Sequence, residues 1–157
     1  MKIKFVAVGK TTAGYLKEAI SVYENRLKHY IPFELICIPD IKNAGKLSET
    51  QLKNREGENI LAKLNSGDEL VLLDEKGKSL SSPEFSLLLS GKINAGNRCT
   101  VFVAGGAYGF SDEVYARASL MISLSRMTFT HQMVRLIFVE QLYRAFTIMK
   151  GEAYHHE

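Results

Sequence analysis

Residues 101–111, VFVAGGAYGFS, join a run of strand-forming residues to a loop that holds three glycines. The β-branched and aromatic residues before Gly105 favour a strand. Ser111, Asp112 and Glu113 are typical of a helix N-terminus, where an oxygen acceptor and acidic side chains are stabilising. The stretch therefore predicts a strand, a glycine loop and a helix. In open α/β sheets such loops lie at the carboxyl ends of the strands, where ligands bind.

The rest of the chain repeats the order of strand and helix. Strand patterns cover residues 3–9, 32–39, 68–74, 98–106 and 119–125. Helical patterns cover residues 15–27, 48–64, the segment that starts with Ser82 and Pro83, 111–118 and 131–150. This alternation predicts an α/β fold with a mostly parallel sheet and helices on both faces. No repeat or linker interrupts it, so residues 1–157 are interpreted as a single domain.

Composition narrows the functional classes. The formal net charge of +3 permits a polyanionic partner without requiring one. The sequence shows no secretory signal and no apolar run of the ~20 residues that a membrane span needs. Cys37 and Cys99 lie in apolar runs without metal-ligand spacing and are expected to be buried, reduced thiols. A cytoplasmic protein without a metal site is the expectation.

The glycine loop admits two interpretations. Its GGxxG pattern, Gly105, Gly106 and Gly109, follows the fourth strand and differs from the GxGxxG that follows the first strand in dinucleotide-binding proteins. No Lys-Ser or Lys-Thr follows to make a phosphate-binding P-loop. The loop is either a tight turn that needs glycine dihedrals or part of a ligand pocket. Two other loops could share such a pocket: LLDEKG, residues 72–77, after the third strand and LSRMTF, residues 124–129, after the fifth. The pocket then requires that the strands before the three loops be neighbours in the sheet.

The last helix is apolar around most of its circumference. Leu136 to Val139 are four consecutive apolar residues, which span most of a helix at ~100° per residue. Such a helix favours a homodimer, the alternative being a central core helix in a monomer. Arg135 and Arg144 are nine positions apart and point in opposite directions, so they serve different surfaces. Glu140 and Arg144 have the spacing of an ordinary ion pair.

Four C-terminal motifs resemble the RlmH family of SPOUT methyltransferases: VFVAGGAYG, LSRMTFTHQMVR, EQLYRAF and AYHHE. MKIKFVAVGK and PFELICIP at the start are also similar, so the resemblance covers essentially the whole chain. It implies a sheet with a C-terminal trefoil knot, S-adenosylmethionine as cofactor, and a homodimer. The implied reaction is methylation of N3 of a pseudouridine in 23S ribosomal RNA, at position 1915 in helix 69. The formal net charge of +3 is small for binding free RNA, so an assembled ribosomal particle is the expected substrate.

The resemblance also implies site residues. The cofactor positions are Leu73, Gly105, Leu124, Ser125, Arg126, Met127, Thr128 and Phe129. In the tail, residues 152–157, His155 is the expected base and Tyr154 a positioning group. On the last helix, Arg144 is the expected cation for an oxyanion or a phosphate. Arg126 is expected to reach the cofactor carboxylate or an RNA phosphate. Two departures are Thr130, where the family often has proline, and His156, where it usually has arginine or lysine.

Two other functions remain as alternatives at this stage. A non-catalytic RNA-binding module is disfavoured by the small net charge and by the lack of aromatic-rich RNA-binding motifs. A nucleotide-dependent enzyme of the doubly wound type is disfavoured by the missing phosphate-binding fingerprints. The tail, in turn, is either a frayed terminus or part of the active site.

Overall fold

The computed structural model describes residues 1–156 and shows the predicted alternation of strand and helix. The strands are β1 (Lys2–Val8), β2 (Phe33–Ile38), β3 (Glu69–Ser79), β4 (Cys99–Ala104) and β5 (Leu120–Ser123). The α-helices are α1 (Gly14–Leu27), α2 (Glu49–Leu61), α3 (Ser82–Asn94), α4 (Asp112–Arg117) and α5 (Met133–Lys150).

The five strands form one sheet in the order β2-β1-β4-β3-β5. All four neighbouring pairs are parallel, which confirms the predicted sheet class. The strands β1 and β4 and the first half of β3 are largely buried on both faces, as their nearly continuous apolar runs predict. Cys37, by contrast, is exposed, so its predicted burial was wrong. It lies on β2, which is an edge strand and has a neighbour on one side only.

The direction of each connection between strands decides on which face of the sheet its helix lies. The connections through α1 and α3 run towards the β2 edge, whereas those through α2 and α4 run towards the β5 edge. Right-handed crossovers place helices of the same direction on the same face. Accordingly, α1 and α3 pack with α5 over a core that includes Phe5, Phe102 and Phe138. The other face is a second core that includes Val6, Leu72 and Val103, covered by α2 and α4.

Capping residues fix several helix starts. Ser48 and Gln51 form the predicted capping box of α2. For α3 the capping residue is Ser81, which makes a capping box with Glu84, and Pro83 is the second helical residue. A proline after serine predicts a helix that has Ser82 as its cap and Pro83 at its first position, which is one residue later than the structure shows. Before α5, the Oγ1 of Thr130 accepts a hydrogen bond from the N–H of Met133 at 3.1 Å.

Strand β3 is longer than predicted. The strand pattern ends at residue 74, and EKGK, residues 75–78, favours a turn, but β3 continues to Ser79 and pairs twice with β5. Both Leu73 and Lys78 pair with Ile122, so the residues between them form an irregular excursion around the end of β5. A Cβ on Gly77 would lie 2.6 Å from the backbone N of Ile122. The fold class is confirmed, and the trefoil knot stays a prediction.

Candidate active site

The three loops that were predicted to form a pocket emerge side by side. Leu73 of β3 pairs with Ala104 of β4 on one side and with Ile122 of β5 on the other. The glycine loop that follows Ala104 and the loop that follows Ser123 therefore flank the end of β3 at the carboxyl edge of the sheet. The condition set by the sequence, that these strands be neighbours, is met.

The glycine loop needs its glycines for reasons within the chain. A Cβ on Gly105 would lie 3.0 Å from the ring of Phe110, and one on Gly106 would lie 2.6 Å from a carboxylate oxygen of Glu56. Gly109 has a φ of +82°, which L side chains rarely adopt. The loop packs closely on Phe110 and on Glu56 of α2, and Gly109 has a positive φ, so the tight-turn interpretation accounts for the three glycines. The ligand pocket must rest on the arrangement of the loops.

Glu56 is a residue of this region that sequence reasoning missed. It lies on α2, is 8% exposed, and its carboxylate faces the backbone of Gly106. Burial raises the pKa of Glu56, and the negative charge of Asp40 raises it further. A glutamate in an otherwise polar, sparsely apolar helix gives no signal of burial in the sequence.

The loop after β5 carries most of the predicted cofactor residues. Ser123 donates a hydrogen bond to the carbonyl oxygen of Ser125 at 2.9 Å, and the Oγ of Ser125 accepts from the N–H of Met127 at 2.9 Å. These bonds hold the loop as a tight turn. Of the predicted residues, Leu73, Gly105, Leu124, Ser125 and Phe129 are half-buried, whereas Arg126, Met127 and Thr128 are exposed. The loop thus offers apolar side chains and accessible backbone at one edge.

Two side chains fasten the end of this loop to the loop after β1. The Oε1 of Gln132 accepts from the backbone N–H groups of Thr12 and Ala13 at 2.9 and 3.2 Å. Arg135 is fully buried and donates to the carbonyl oxygen of Val8 at 2.6 Å and to the Oγ1 of Thr11 at 2.8 Å. The bond from Arg135 to Val8 was not predictable from the sequence, because a contact across 127 positions leaves no local pattern.

A hydrogen bond between side chains joins the loop after Leu73 to α4. The hydroxyl of Tyr115 donates to Oδ2 of Asp74 at 2.6 Å, and Oδ1 of Asp74 accepts from the N–H of Lys76 at 2.8 Å. The ring of Tyr115 also packs edge-on against Phe110, which supports Gly105. Burial and the bond to Asp74 raise the pKa of Tyr115 to about 12. The stabilisation from this bond is complete below pH ~10 and lost as the pH rises through about 12.

We expect Tyr115→Phe to raise the cofactor dissociation constant about fivefold, the effect of losing ~1 kcal/mol of hydrogen bonding. The phenylalanine keeps the contact with Phe110 but releases Asp74, so the β3 loop and the glycine loop lose their mutual support. Titration calorimetry measures this constant. The matched control is Tyr108→Phe, since Tyr108 lies in the neighbouring glycine loop and is 51% exposed. Equal constants for the two variants would show that the Tyr115 hydroxyl has no part in cofactor binding.

The three predicted catalytic residues form a cluster with α5 and α1. Oε1 of Glu140 accepts from Nε and Nη2 of Arg144 at 3.1 and 2.5 Å, and from the hydroxyl of Tyr154 at 3.0 Å. The guanidinium carbon of Arg144 lies 4.7 Å from the centre of the Tyr154 ring. The hydroxyl of Tyr23 is 3.2 Å from that of Tyr154. The tail of this chain is thus held on its own helices through Tyr154.

Protonation states in the cluster follow from its contacts. Burial raises the pKa of Tyr154, and hydrogen bonds to Tyr23 and Glu140 raise it further, so the phenol stays protonated. Nδ1 of His155 is 3.4 Å from Nη1 of Arg144. Because arginine only donates, Nδ1 is the acceptor and the proton of the neutral ring lies on Nε2. Within residues 1–156, this buried Nε2 has no hydrogen-bond partner.

Two groups of residues lie apart within one chain. The loop cluster consists of Leu73, Gly105 and residues 124–129, and the tail cluster consists of Glu140, Arg144, Tyr154 and His155. Helix α5 starts at the carboxyl edge, where Arg135 binds Val8, and ends near the start of β2, where Glu152 accepts from the hydroxyl of Tyr30 at 2.6 Å. Arg144 is nine residues beyond Arg135, which is about 14 Å along the helix axis. A single chain therefore brings the predicted cofactor residues together and the predicted catalytic residues together, but not the two sets with each other.

Over residues 1–156, no group of three or more His, Cys, Asp and Glu side chains has the geometry to hold a metal ion. Within the same residues, no helix has both the length and the apolar character required to cross a membrane.

Comparisons with known proteins address the fold and the activity. The family described as "Predicted SPOUT methyltransferase" matches residues 1–155. A protein of Parabacteroides distasonis named "Ribosomal RNA large subunit methyltransferase H" is 60% identical over 157 residues, 100% of both chains. A protein of the same name from Flavobacterium psychrophilum is 56% identical over 157 residues, again 100% of both chains.

A solved structure, that of a probable methylase family protein from Haemophilus influenzae Rd KW20, is similar with a TM-score of 0.54 and 12% identity. The match covers 99% of this chain and 70% of that chain. At this identity the likeness concerns the fold alone.

Proposed function

The chain belongs to the SPOUT methyltransferase family, and from this premise we propose that it methylates large-subunit ribosomal RNA with S-adenosylmethionine as methyl donor. The enzyme is a methyltransferase, and the acceptor is N3 of a pseudouridine in helix 69 of 23S ribosomal RNA. Residues 1–157 act as one catalytic domain, and the enzyme works in the cytoplasm on ribosomal particles. The observation that carries the proposal is the convergence of three strand-end loops in a chain of this family.

The loop cluster fits S-adenosylmethionine. Its half-buried apolar residues, Leu73, Leu124 and Phe129, suit an adenine ring, and the accessible backbone of the loop after β5 suits the polar edges of that ring. Arg126 is exposed at the same edge and is available to a carboxylate or a phosphate. Ser125, Met127 and Thr128 complete the set that surrounds the cofactor. The fit needs no charged fingerprint, in agreement with the sequence.

The tail cluster fits the chemistry at the nucleobase. Bound S-adenosylmethionine supplies an electrophilic methyl group, and N3 must lose a proton for it to be accepted. Nδ1 of His155 carries the lone pair that can accept this proton. Nδ1 accepts it after the hydrogen bond from Arg144 to Nδ1 has broken. Arg144 stabilises the negative charge that develops on the base. Tyr154, protonated and fixed by Glu140, donates a hydrogen bond that orients the ring.

A homodimer joins the two clusters. The separation of about 14 Å along α5 leaves each chain with a cofactor site at one edge and a catalytic tail near the other. An antiparallel second copy places the tail of one chain over the loops of its partner. Helix α5 supplies surface for this contact, since Met133, Ile137 and Ile148 remain partly exposed in the single chain. Because the core of the same chain buries the other side of α5, these three apolar side chains are what a second copy would cover.

Calorimetry and a methylation assay test the proposed function together. We expect the purified protein to bind S-adenosylmethionine but neither NAD nor ATP, and to transfer a radiolabelled methyl group to large ribosomal particles that lack this modification. Mass spectrometry of the digested RNA should locate the label on N3 of the pseudouridine in helix 69. Binding of NAD or ATP alone would favour the nucleotide-dependent alternative. RNA binding without methyl transfer would favour the non-catalytic module.

A further inference from the structure

A groove of about 570 Å³ lies at the amino edge of the sheet, beside the catalytic tail. It is formed where α1 leads into β2 and by the first residues of β1. Lys2, Lys28 and His29 supply its cationic and polar side chains. The rings of Tyr30, Pro32 and Phe33 supply its apolar surface. Cations interleaved with aromatic and flat side chains are typical of surfaces that bind single-stranded or looped nucleic acid.

The two lysines of the groove differ in whether they have an acidic partner. Lys2 forms an ion pair with Glu34 at 2.6 Å, so it contributes little free charge. Lys28 is exposed, and the hydrogen bond that it donates goes to the neutral amide of Asn25 at 3.3 Å. Over residues 1–156 no carboxylate lies within ion-pair distance of Lys28, although the charge of Glu24 one turn earlier acts on it weakly. Lys28 is therefore the cation that is available to an anionic ligand.

A chain of aromatic contacts connects the groove to the catalytic cluster. Tyr30 lines the groove, and its ring centre is 5.8 Å from that of Tyr143. Tyr143 in turn packs edge-on against Tyr154 at 4.8 Å. The hydroxyl of Tyr30 also binds Glu152 of the tail. A ligand in the groove thus lies next to the residues that act on the nucleobase.

We propose that this groove binds the phosphodiester backbone of the RNA substrate beside the target nucleotide, with Lys28 as its principal phosphate contact. This inference rests on the proposed function and specifies where the RNA lies. The formal net charge of +3 is small for a protein that binds RNA, so a localised phosphate contact carries a larger share of the binding free energy.

The test compares Lys28→Ala with Lys63→Ala, which removes an exposed cation just beyond α2, the helix on the opposite face of the sheet. Large ribosomal particles lacking the modification serve as substrate, and their binding is measured between about 50 and 200 mM salt. We expect Lys28→Ala to weaken binding roughly three- to tenfold and to lower the salt slope by about 0.7 to 0.9, as for one lost phosphate contact. Lys28→Arg should restore both, and Lys63→Ala should change neither.

Kinetics separate this inference from the proposed function. We expect Lys28→Ala to raise KM for the particles and to leave the single-turnover rate at saturation and the affinity for S-adenosylmethionine unchanged. If Lys28→Ala and Lys63→Ala show the same affinity and salt slope, the groove does not bind phosphate, even though the wild-type protein methylates its substrate. A wild-type protein without methyl transfer would instead contradict the proposed function itself.

Discussion

Deletion of residues 154–157 is expected to lower single-turnover methyl transfer to ribosomal particles by about 10²–10⁴-fold, the usual effect of losing an acid–base group. Cofactor affinity should fall only modestly, since all the predicted cofactor residues lie at the opposite edge. The proposed dimer should persist because the deletion leaves α5, the helix expected to provide its apolar surface, untouched. His155→Ala should reproduce much of the loss, and His156→Ala much less, because His156 is exposed and has no role in the cluster.

The same deletion tests whether the site is shared between chains. The truncated chain is mixed with a chain whose cofactor loop is disabled by Leu124→Arg, and subunits are allowed to exchange. If the tail acts on the partner, mixed dimers should gain activity that neither variant has alone. Native mass spectrometry confirms that mixed dimers form. Rates near those of the wild type in the truncated protein would make the tail a frayed terminus and the catalytic assignment wrong.

The fold was predictable because its signals are local. Each buried strand is a short apolar run between polar or turn-forming residues, and the capping box at Ser48 and Gln51 marks a helix start within four residues. The strand order was not predictable, because neighbours such as Leu73 and Ala104 are 31 positions apart and are paired by the whole fold. The length of β3 was missed for the same reason. Its second half is extended because it pairs with β5, whereas EKGK by itself favours a turn.

The candidate site was predictable in part. Carboxyl ends of parallel strands collect loops whatever their sequence, so the cofactor edge followed from the fold class and the resemblance. The fastening of Arg135 to Val8, the contact of Glu56 with Gly106, and the bond between Asp74 and Tyr115 were all missed. Each joins residues that are 41 or more positions apart, and each involves a polar side chain whose burial depends on its partner. Only the packed structure shows such pairs.

The wrapping of β3 around β5 makes Gly77 the glycine whose replacement by alanine is expected to cost the most stability. A Cβ there would lie 2.6 Å from the N of Ile122 and 2.6 Å from the carbonyl carbon of Met121. Both are backbone atoms in a paired strand, so no side-chain rotation relieves the contact. Overpacking typically costs 1–3 kcal/mol, and we expect Gly77→Ala to reach about 3 kcal/mol or more because the β3–β5 pair must separate.

Urea denaturation at one fixed protein concentration measures this effect against a matched substitution. Gly91→Ala lies within α3, where nothing would lie within 4 Å of the new Cβ, so it should stabilise the protein by about 0.5–1 kcal/mol. The same chemical change thus has opposite signs at two positions. Because β5 leads directly into the loop of residues 124–129, Gly77→Ala should also weaken cofactor binding, whereas Gly91→Ala should not. An unchanged denaturation midpoint for Gly77→Ala would contradict the close contact between Gly77 and the backbone of β5.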